Sequence, residues 1–335
     1  MPTKSPKPLS VFVTRAIPDE GLKMLRRSKR LKVSVYEKDR AIPRRELLRR
    51  VKGADVILSI LTEHMDAEVF DAAGPQLKLV ANYAVGFDNV DVPEAKKRGI
   101  VVTNAPHANV TESVAEHAIA LIFALAHRIV ETDQFTRDGK YEAWGPLLLL
   151  GTDVAGKTVG IVGSGAIGAG VVRRLHAGFG VKVVYTDVKR NPALEQETGA
   201  RFLSLPQLLK TADFVSLHVP LLPSTHHLIG AKELALMKKT AYLVNTARGP
   251  IVDEAALVRA LMKRRIAGAA LDVYECEPNI ACNAKDAVAL VKLQNVILTP
   301  HTASATVETR QAMARTAAEN VLAFAAGKKP PNAVK

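Results

Sequence analysis

One stretch constrains the fold of this chain more than any other. The β-branched run Thr158–Val162 leads directly into Gly163-Ser164-Gly165-Ala166-Ile167-Gly168, which opens a helical pattern over Gly168–Ala177. Gly163 permits a tight turn, Gly165 lets a bulky anion approach the backbone, and Gly168 lets helix lie close on strand. The N–H groups of the helix start, with its dipole behind them, supply an anion site; Ala166 and Ile167 stand there. A second strand, Lys182–Thr186, ends at Asp187, about twenty residues beyond the last glycine. A carboxylate there accepts hydrogen bonds from an adenosine ribose and repels a 2′-phosphate. The unit reads as a dinucleotide site that favours NAD over NADP, although Lys189 and Arg190 would offset a phosphate. Taken alone, Asp187 is also an ordinary strand-end turn residue; its register to the glycines selects the ribose role.

Short β-branched runs alternate with helical patterns over the whole chain, the mark of parallel α/β architecture. One series falls at Ser10–Thr14, Lys32–Tyr36, Asp55–Ser59, Leu77–Asn82 and Ile100–Thr103. The other is Thr158–Val162, Lys182–Thr186, Phe214–His218, Ala241–Asn245, Gly268–Leu271 and Val296–Leu298. Each series suffices for a doubly wound sheet, and 335 residues exceed what one core usually organises. A long helix is expected near Glu112–Val130 and a final one over Thr306–Ala326. If the final helix returns to the first sheet, the second domain is an insertion. The expected division is 1–104 with 300–335 as a flavodoxin-like substrate domain, and 105–299 as a Rossmann dinucleotide domain.

Composition narrows the function classes. With 46 Lys and Arg against 33 Asp and Glu, the formal charge is +13. The basic residues cluster at Arg26–Arg27, Lys29–Arg30, Arg44–Arg45 and Arg49–Arg50, without interleaved aromatics. A solvated basic face accounts for them better than a nucleic-acid surface does. The most apolar stretch, Val114–Val130, is interrupted by Glu116, His117, His127 and Arg128, so a buried helix is expected and no membrane role. Cys276 and Cys282 cannot build a disulfide framework, and no metal-binding spacing surrounds them, so no metal is expected. With a polar start at Met1–Leu9, they point to a reducing, cytoplasmic setting.

In open α/β sheets ligands bind beyond the carboxyl ends of the strands. Thr246-Ala247-Arg248-Gly249 follows one strand, Asp272 to Pro278 follows the next, and Thr299-Pro300-His301 follows the last. An arginine, carboxylates and a histidine thus reach the same edge as the glycine loop. These types suit reduction of a 2-keto acid: a planar cation for the carboxylate at Arg248, and a group that exchanges protons near neutrality at His301. Glu277 would hold the imidazole in place. Each residue alone has a blander reading, as a surface ion pair or a structural loop histidine; their joint placement points to chemistry.

The residues Asn82–Asp91 (NYAVGFDNVD), Gly156–Gly168 (GKTVGIVGSGAIG), Leu243–Gly249 (LVNTARG), Gly268–Pro278 (GAALDVYECEP) and Leu298–His301 (LTPH) resemble the D-isomer-specific 2-hydroxyacid dehydrogenase family. Within it the chain is most similar to glyoxylate and hydroxypyruvate reductases, through Trp144–Lys157 and the early loop. The resemblance implies that Arg248, Glu277 and His301 are the catalytic set, and that the Val85–Gly86 backbone binds the substrate carboxylate opposite Arg248. It places Leu61 and Ser304 near the substrate. It implies cofactor contacts at Ala166, Ile167, Asp187, Val219, Pro220, Thr246, Ala247 and Asp272, and also at Thr111 and Thr225. A homodimer is implied, with Trp144 either reaching a neighbouring subunit or packing locally. Asp187 departs from the NADP-linked reductases, which carry basic or small polar residues there. Phosphite oxidation, other D-2-hydroxyacid dehydrogenation and a non-enzymatic, NAD-responsive corepressor-like role share parts of this pattern.

Overall fold

The computed structural model describes residues 7–277 and 290–334. The chain divides into two compact units, Met1–Val110 with Ala305–Lys335, and Thr111–Ser304. Pro278 and Cys282 lie outside the described residues.

The first unit is built on five parallel strands, β1 (Leu9–Val13), β2 (Leu31–Val35), β3 (Val56–Ser59), β4 (Leu79–Asn82) and β5 (Val101–Thr103). Their order is β2-β1-β3-β4-β5, the flavodoxin-like arrangement. Every residue of β3 and β4 is buried, whereas the edge strand β2 alternates. That contrast follows from helices covering both faces of the central strands. Four helices, α1 (Asp19–Arg27), α2 (Arg44–Arg50), α3 (Ala67–Ala73) and α4 (Val92–Lys97), connect the strands. Asp66 and Asp91 cap the last two, accepting from Val69 N–H and Glu94 N–H. The final helix, which spans Val307–Ala325, also belongs to this unit. It lies so close to α1 that a Cβ at Gly21 would stand 2.5 Å from the Ala314 carbonyl oxygen. The second unit is therefore an insertion in the first.

The second unit holds seven parallel strands: β6 (Thr158–Val162), β7 (Lys182–Thr186), β8 (Arg201–Phe202), β9 (Phe214–Leu217), β10 (Tyr242–Asn245), β11 (Gly268–Leu271) and β12 (Val296–Leu298). They run in the order β12-β11-β10-β9-β6-β7-β8. The order reverses between β6 and β9, which puts the glycine loop after β6 at the switch point of a Rossmann sheet. Successive residues of a strand face opposite cores. Val159, Ile161 and Val244 join Ala118, Ile122 and Leu175 on one side. Val162, Val215 and Leu243 join Leu208, Leu257 and Leu261 on the other. Gly160 lets the helix Leu205–Thr211 lie directly on β6, for a Cβ there would stand 2.8 Å from that of Ala212. β8 escapes a sequence reading because it is two exposed residues long.

Two expectations are corrected. The helix expected to reach Val130 is Ala108–Ala126, followed by a separate helix, Ile129–Arg137. Arg128 between them is left-handed, at φ 54°, and its guanidinium grips both Glu131 carboxylate oxygens, at 2.8 and 2.7 Å, and the Leu150 carbonyl. By length and hydropathy Ala108–Ala126 could cross a membrane. Its residues Ala115, Ala118, Leu121, Ile122 and Leu125 are instead part of the second unit's core. Cys276, expected to be reduced, is disulfide-bonded. A count of cysteines speaks to a framework of bridges and is silent about a single one.

At the end of β9, His218 accepts or donates across 2.9 Å to Ser216 Oγ, and burial holds its imidazole down to about 4. The unfolded chain, with an ordinary histidine near 6.5, binds a proton there that the folded chain refuses. Stability contributed above pH 6.5 is thus lost as pH falls toward 4. Urea midpoints measured at pH 7 and pH 5 should drop for the wild type, and drop less for His218→Gln.

Candidate active site

The helix Ala166–Phe179 starts at Gly165, and no side chain caps it. The first amides of a helix have no partner within it, and a Cβ on Gly165 would meet nothing within 4 Å. A Cβ on Gly168 would strike the Gly163 carbonyl, and Gly163 itself sits at φ 95°. Asp187 closes the loop: its Oδ2 accepts from Ser164 N–H at 2.7 Å and Ser164 Oγ at 3.0 Å, and its Oδ1 from Val188 N–H at 2.7 Å. Arg190, one of the two cations that would offset a phosphate, is turned elsewhere. It pairs with Glu195 at 2.6 Å and lies over the Phe202 ring.

A nicotinamide dinucleotide fits these residues. The uncapped helix start suits its pyrophosphate, and Asp187 suits its ribose. At the end of β10, Thr246 Oγ1 is buried with no hydrogen-bond partner among the described residues, an orphan that a polar ligand group would satisfy. Val219 and Pro220 follow β9 on the same edge, half-buried and exposed respectively. Thr225 differs: its hydroxyl donates to the Pro220 carbonyl at 2.6 Å and accepts from Leu222 N–H at 2.8 Å. Local turn geometry uses that group. Thr111 is half-buried on the helix Ala108–Ala126.

β10, β11 and β12 are neighbours in the sheet, so the segments after them meet at one edge. After β10, Asn245 shapes the arginine loop, donating to the Arg248 carbonyl at 2.9 Å and accepting from Ala247 N–H at 3.0 Å. Arg248 Nη1 donates to the Ala247 carbonyl at 2.8 Å. After β11, Glu277 Oε1 accepts from Tyr274 N–H at 2.9 Å, and its Oε2 lies 2.7 Å from His301 Nδ1. With one carboxylate oxygen fixed by backbone, the other fixes the ring. An ionised carboxylate only accepts, so Nδ1 carries the proton in this contact, and Nε2 is left to act on something else.

His301 is left-handed, with φ 54°, a conformation that costs a non-glycine residue about 1–2 kcal/mol. Asp272 holds it there. This fully buried carboxylate accepts Thr299 Oγ1 at 2.6 Å, and the amides of Thr302 and Ala303 at 2.8 Å each. The Asp272 carbonyl accepts from His301 N–H at 2.8 Å. Burial by itself would push the Asp272 carboxyl up. The His117 imidazole 3.6 Å away and the hydrogen bonds from Thr299 and the two amides outweigh that and hold it below the ordinary carboxylate range. Tyr274 braces the same turn, its hydroxyl donating to the Thr299 carbonyl at 2.9 Å. Burial first, then the charges of Asp272, Glu277 and Glu254, push that phenol up to about 12, so it stays a donor. Ser304 follows the turn and is half-buried.

In the first unit, Leu61 and Val85–Gly86 follow the carboxyl ends of β3 and β4. Asn104 Nδ2 donates to the Val85 carbonyl at 2.8 Å and Asn82 Nδ2 to the Gly86 carbonyl at 3.0 Å. The amides of Val85 and Gly86 make no hydrogen bond among the described residues, a pair suited to a carboxylate. Asn82 and Asn104 were not singled out from sequence. Nor were His117, Thr299 and Tyr274, which pack around Asp272 and the turn that follows β12; nothing in their spacing marks them.

A Rossmann sheet with an open glycine loop, an arginine loop and a carboxylate-backed histidine defines a nicotinamide-dependent oxidoreductase. Residues 119–303 match the family model for the D-isomer specific 2-hydroxyacid dehydrogenase NAD binding domain. The chain is 50% identical over 325 residues to a glyoxylate reductase of Korarchaeum cryptofilum, covering 97% of this chain and 95% of that one. It is 49% identical over 328 residues to a glyoxylate reductase of Thermococcus gammatolerans, covering 97% and 95%. Among solved structures it is similar to the NADPH-dependent glyoxylate/hydroxypyruvate reductase of Sinorhizobium meliloti in complex with NADP and malonate, at TM-score 0.82 and 33% identity, covering 98% and 97%. The protein belongs to the D-isomer-specific 2-hydroxyacid dehydrogenase family.

Gly249 is where the arginine loop touches the glutamate loop. A Cβ there would collide with the Tyr274 carbonyl and stand 2.5 Å from Glu275 N. Gly249→Ala should therefore destabilise by about 1–3 kcal/mol and lower kcat by separating the two loops. Gly178→Ala, where a Cβ meets nothing within 4 Å, is the control and should leave kcat unchanged. Urea unfolding and steady-state kinetics on both variants check this.

Proposed function

We propose that this enzyme reduces a small 2-keto acid, of the glyoxylate or hydroxypyruvate type, to the D-2-hydroxy acid with NADH. The observation that carries the reading is the 2.7 Å contact between Glu277 Oε2 and His301 Nδ1, at the strand edge shared with Arg248 and the glycine loop. When bound, the nicotinamide supplies a hydride to the keto carbon. Arg248 is assigned to the substrate carboxylate and to polarising the carbonyl, as a charge that needs no reorganisation when the reaction occurs. His301 delivers a proton from Nε2 to the carbonyl oxygen. Glu277 keeps the ring in register and offsets the imidazolium charge. Val85 and Gly86, with their open amides, are assigned to carboxylate binding.

NADH is preferred over NADPH in this reading because Asp187 presents an ionised oxygen pair at the ribose position and Arg190 is committed to Glu195. The Sinorhizobium meliloti enzyme is NADPH-dependent, so this preference is a property proposed for the present chain alone. The protein is further proposed to be a cytoplasmic homodimer. Trp144 and Leu147 are each 80% exposed, with Tyr141, Leu150, Ile129 and Val130 also exposed nearby in sequence. A second copy would cover such a surface.

NADH and NADPH oxidation should be followed with glyoxylate, hydroxypyruvate, pyruvate and phenylpyruvate. Turnover is expected with glyoxylate or hydroxypyruvate, faster with NADH. His301→Ala should lower kcat by about two to four orders of magnitude while leaving NADH affinity nearly unchanged. Wild-type protein that binds NADH and turns over none of these acids would instead be a dinucleotide-responsive binding module.

A further inference from the structure

His117 lies outside every motif used to find the site, yet it reaches the residues that hold His301. It sits on the helix Ala108–Ala126, within the second unit. Its Nε2 is 3.2 Å from Thr299 Oγ1 and 3.6 Å from Asp272 Oδ1. Its side chain is 23% exposed, and that of Asp272 is 0% exposed.

Counting protons at this junction fixes the imidazole tautomer. Thr299 has one hydroxyl proton. Its 2.6 Å contact with Asp272 Oδ1, an acceptor only, takes that proton. Thr299 Oγ1 therefore meets His117 as an acceptor, and Nε2 must carry hydrogen. That single N–H supports a hydroxyl already committed to Asp272 and leans toward the carboxylate itself. Asp272 in turn anchors the amides of Thr302 and Ala303, on either side of a turn whose residue His301 is held left-handed. A conformation of that kind persists only where its surroundings over-determine it.

We propose that His117 is a positioning residue for the reaction: its Nε2–H locks Thr299 against Asp272, and so fixes the turn that aims His301. The proposal rests on the reading of His301 as the proton donor. It assigns His117 no contact with the substrate, and its loss should act on the rate and spare binding.

The test compares His117→Leu, which removes the donor, with His117→Gln, which returns an N–H near the place of Nε2. His117→Leu should lower kcat about tenfold to a hundredfold, the scale of a misaimed catalytic group. KM for the keto acid and Kd for NADH should stay within about threefold of wild type, and His117→Gln should recover most of kcat. His117→Asn, whose N–H falls near the place of Nδ1, should lose activity as His117→Leu does, and replaces it if that variant does not fold. Unchanged kcat in the variants lacking the donor would overturn the proposal. So would parallel loss of kcat and NADH affinity, or a folded His117→Gln that recovers nothing. His301→Ala separates the two readings. If it turns over like the wild type, the assignment of the acid fails; if it is inactive while His117→Leu is not, only the role of His117 falls.

Discussion

A buried carboxylate is the constraint on which this site depends. Moving an ionised group out of water is costly unless hydrogen bonds replace its hydration. Asp272, wholly buried at the end of β11, meets that demand by gathering donors from the segment after β12: the hydroxyl of Thr299 and the amides of Thr302 and Ala303. The segment must wrap around the carboxylate to do so, and the wrapping forces His301 into a left-handed conformation. Electrostatic need at one residue becomes backbone geometry at another.

That geometry then turns one ring nitrogen toward Glu277. The glutamate is itself pinned through Tyr274 N–H, so its free oxygen has a fixed place, 2.7 Å from His301 Nδ1. Sheet topology does the rest. Because β10, β11 and β12 are adjacent and parallel, their carboxyl ends deliver arginine, glutamate and histidine to one edge. The reversal of strand order at β6 puts the glycine loop on that edge too. The cluster follows from where parallel strands end and from one carboxylate that must be solvated by protein.

The residues legible from sequence are those whose role is set by local spacing. Gly163, Gly165 and Gly168 are tied to one strand and one helix, and Asp187 to the next strand end, so their geometry follows from register alone. Arg248, Glu277 and His301 are visible because each follows a readable strand. What stays hidden is long-range. Asn104 reaches Val85, and His117 reaches Thr299, across stretches of sequence that no periodicity connects. The sequence suggests a cofactor contact at Asp272; what the structure shows there is a buried carboxylate anchoring a turn that follows the next strand. The break at Arg128 was missed for a related reason: the apolar pattern runs on through it, and only the grip on Glu131 and Leu150 ends the helix.

In the proposed reaction Glu277 and His301 work as one unit in proton delivery. A double-mutant cycle on kcat, with Glu277→Gln, His301→Ala and the pair measured in keto-acid reduction, tests it directly. Residues that act as a unit are strongly non-additive, so the double variant should be no slower than His301→Ala alone. A double variant slowed by the product of the two single effects would mean that the carboxylate serves the reaction independently of the imidazole, and would contradict the account.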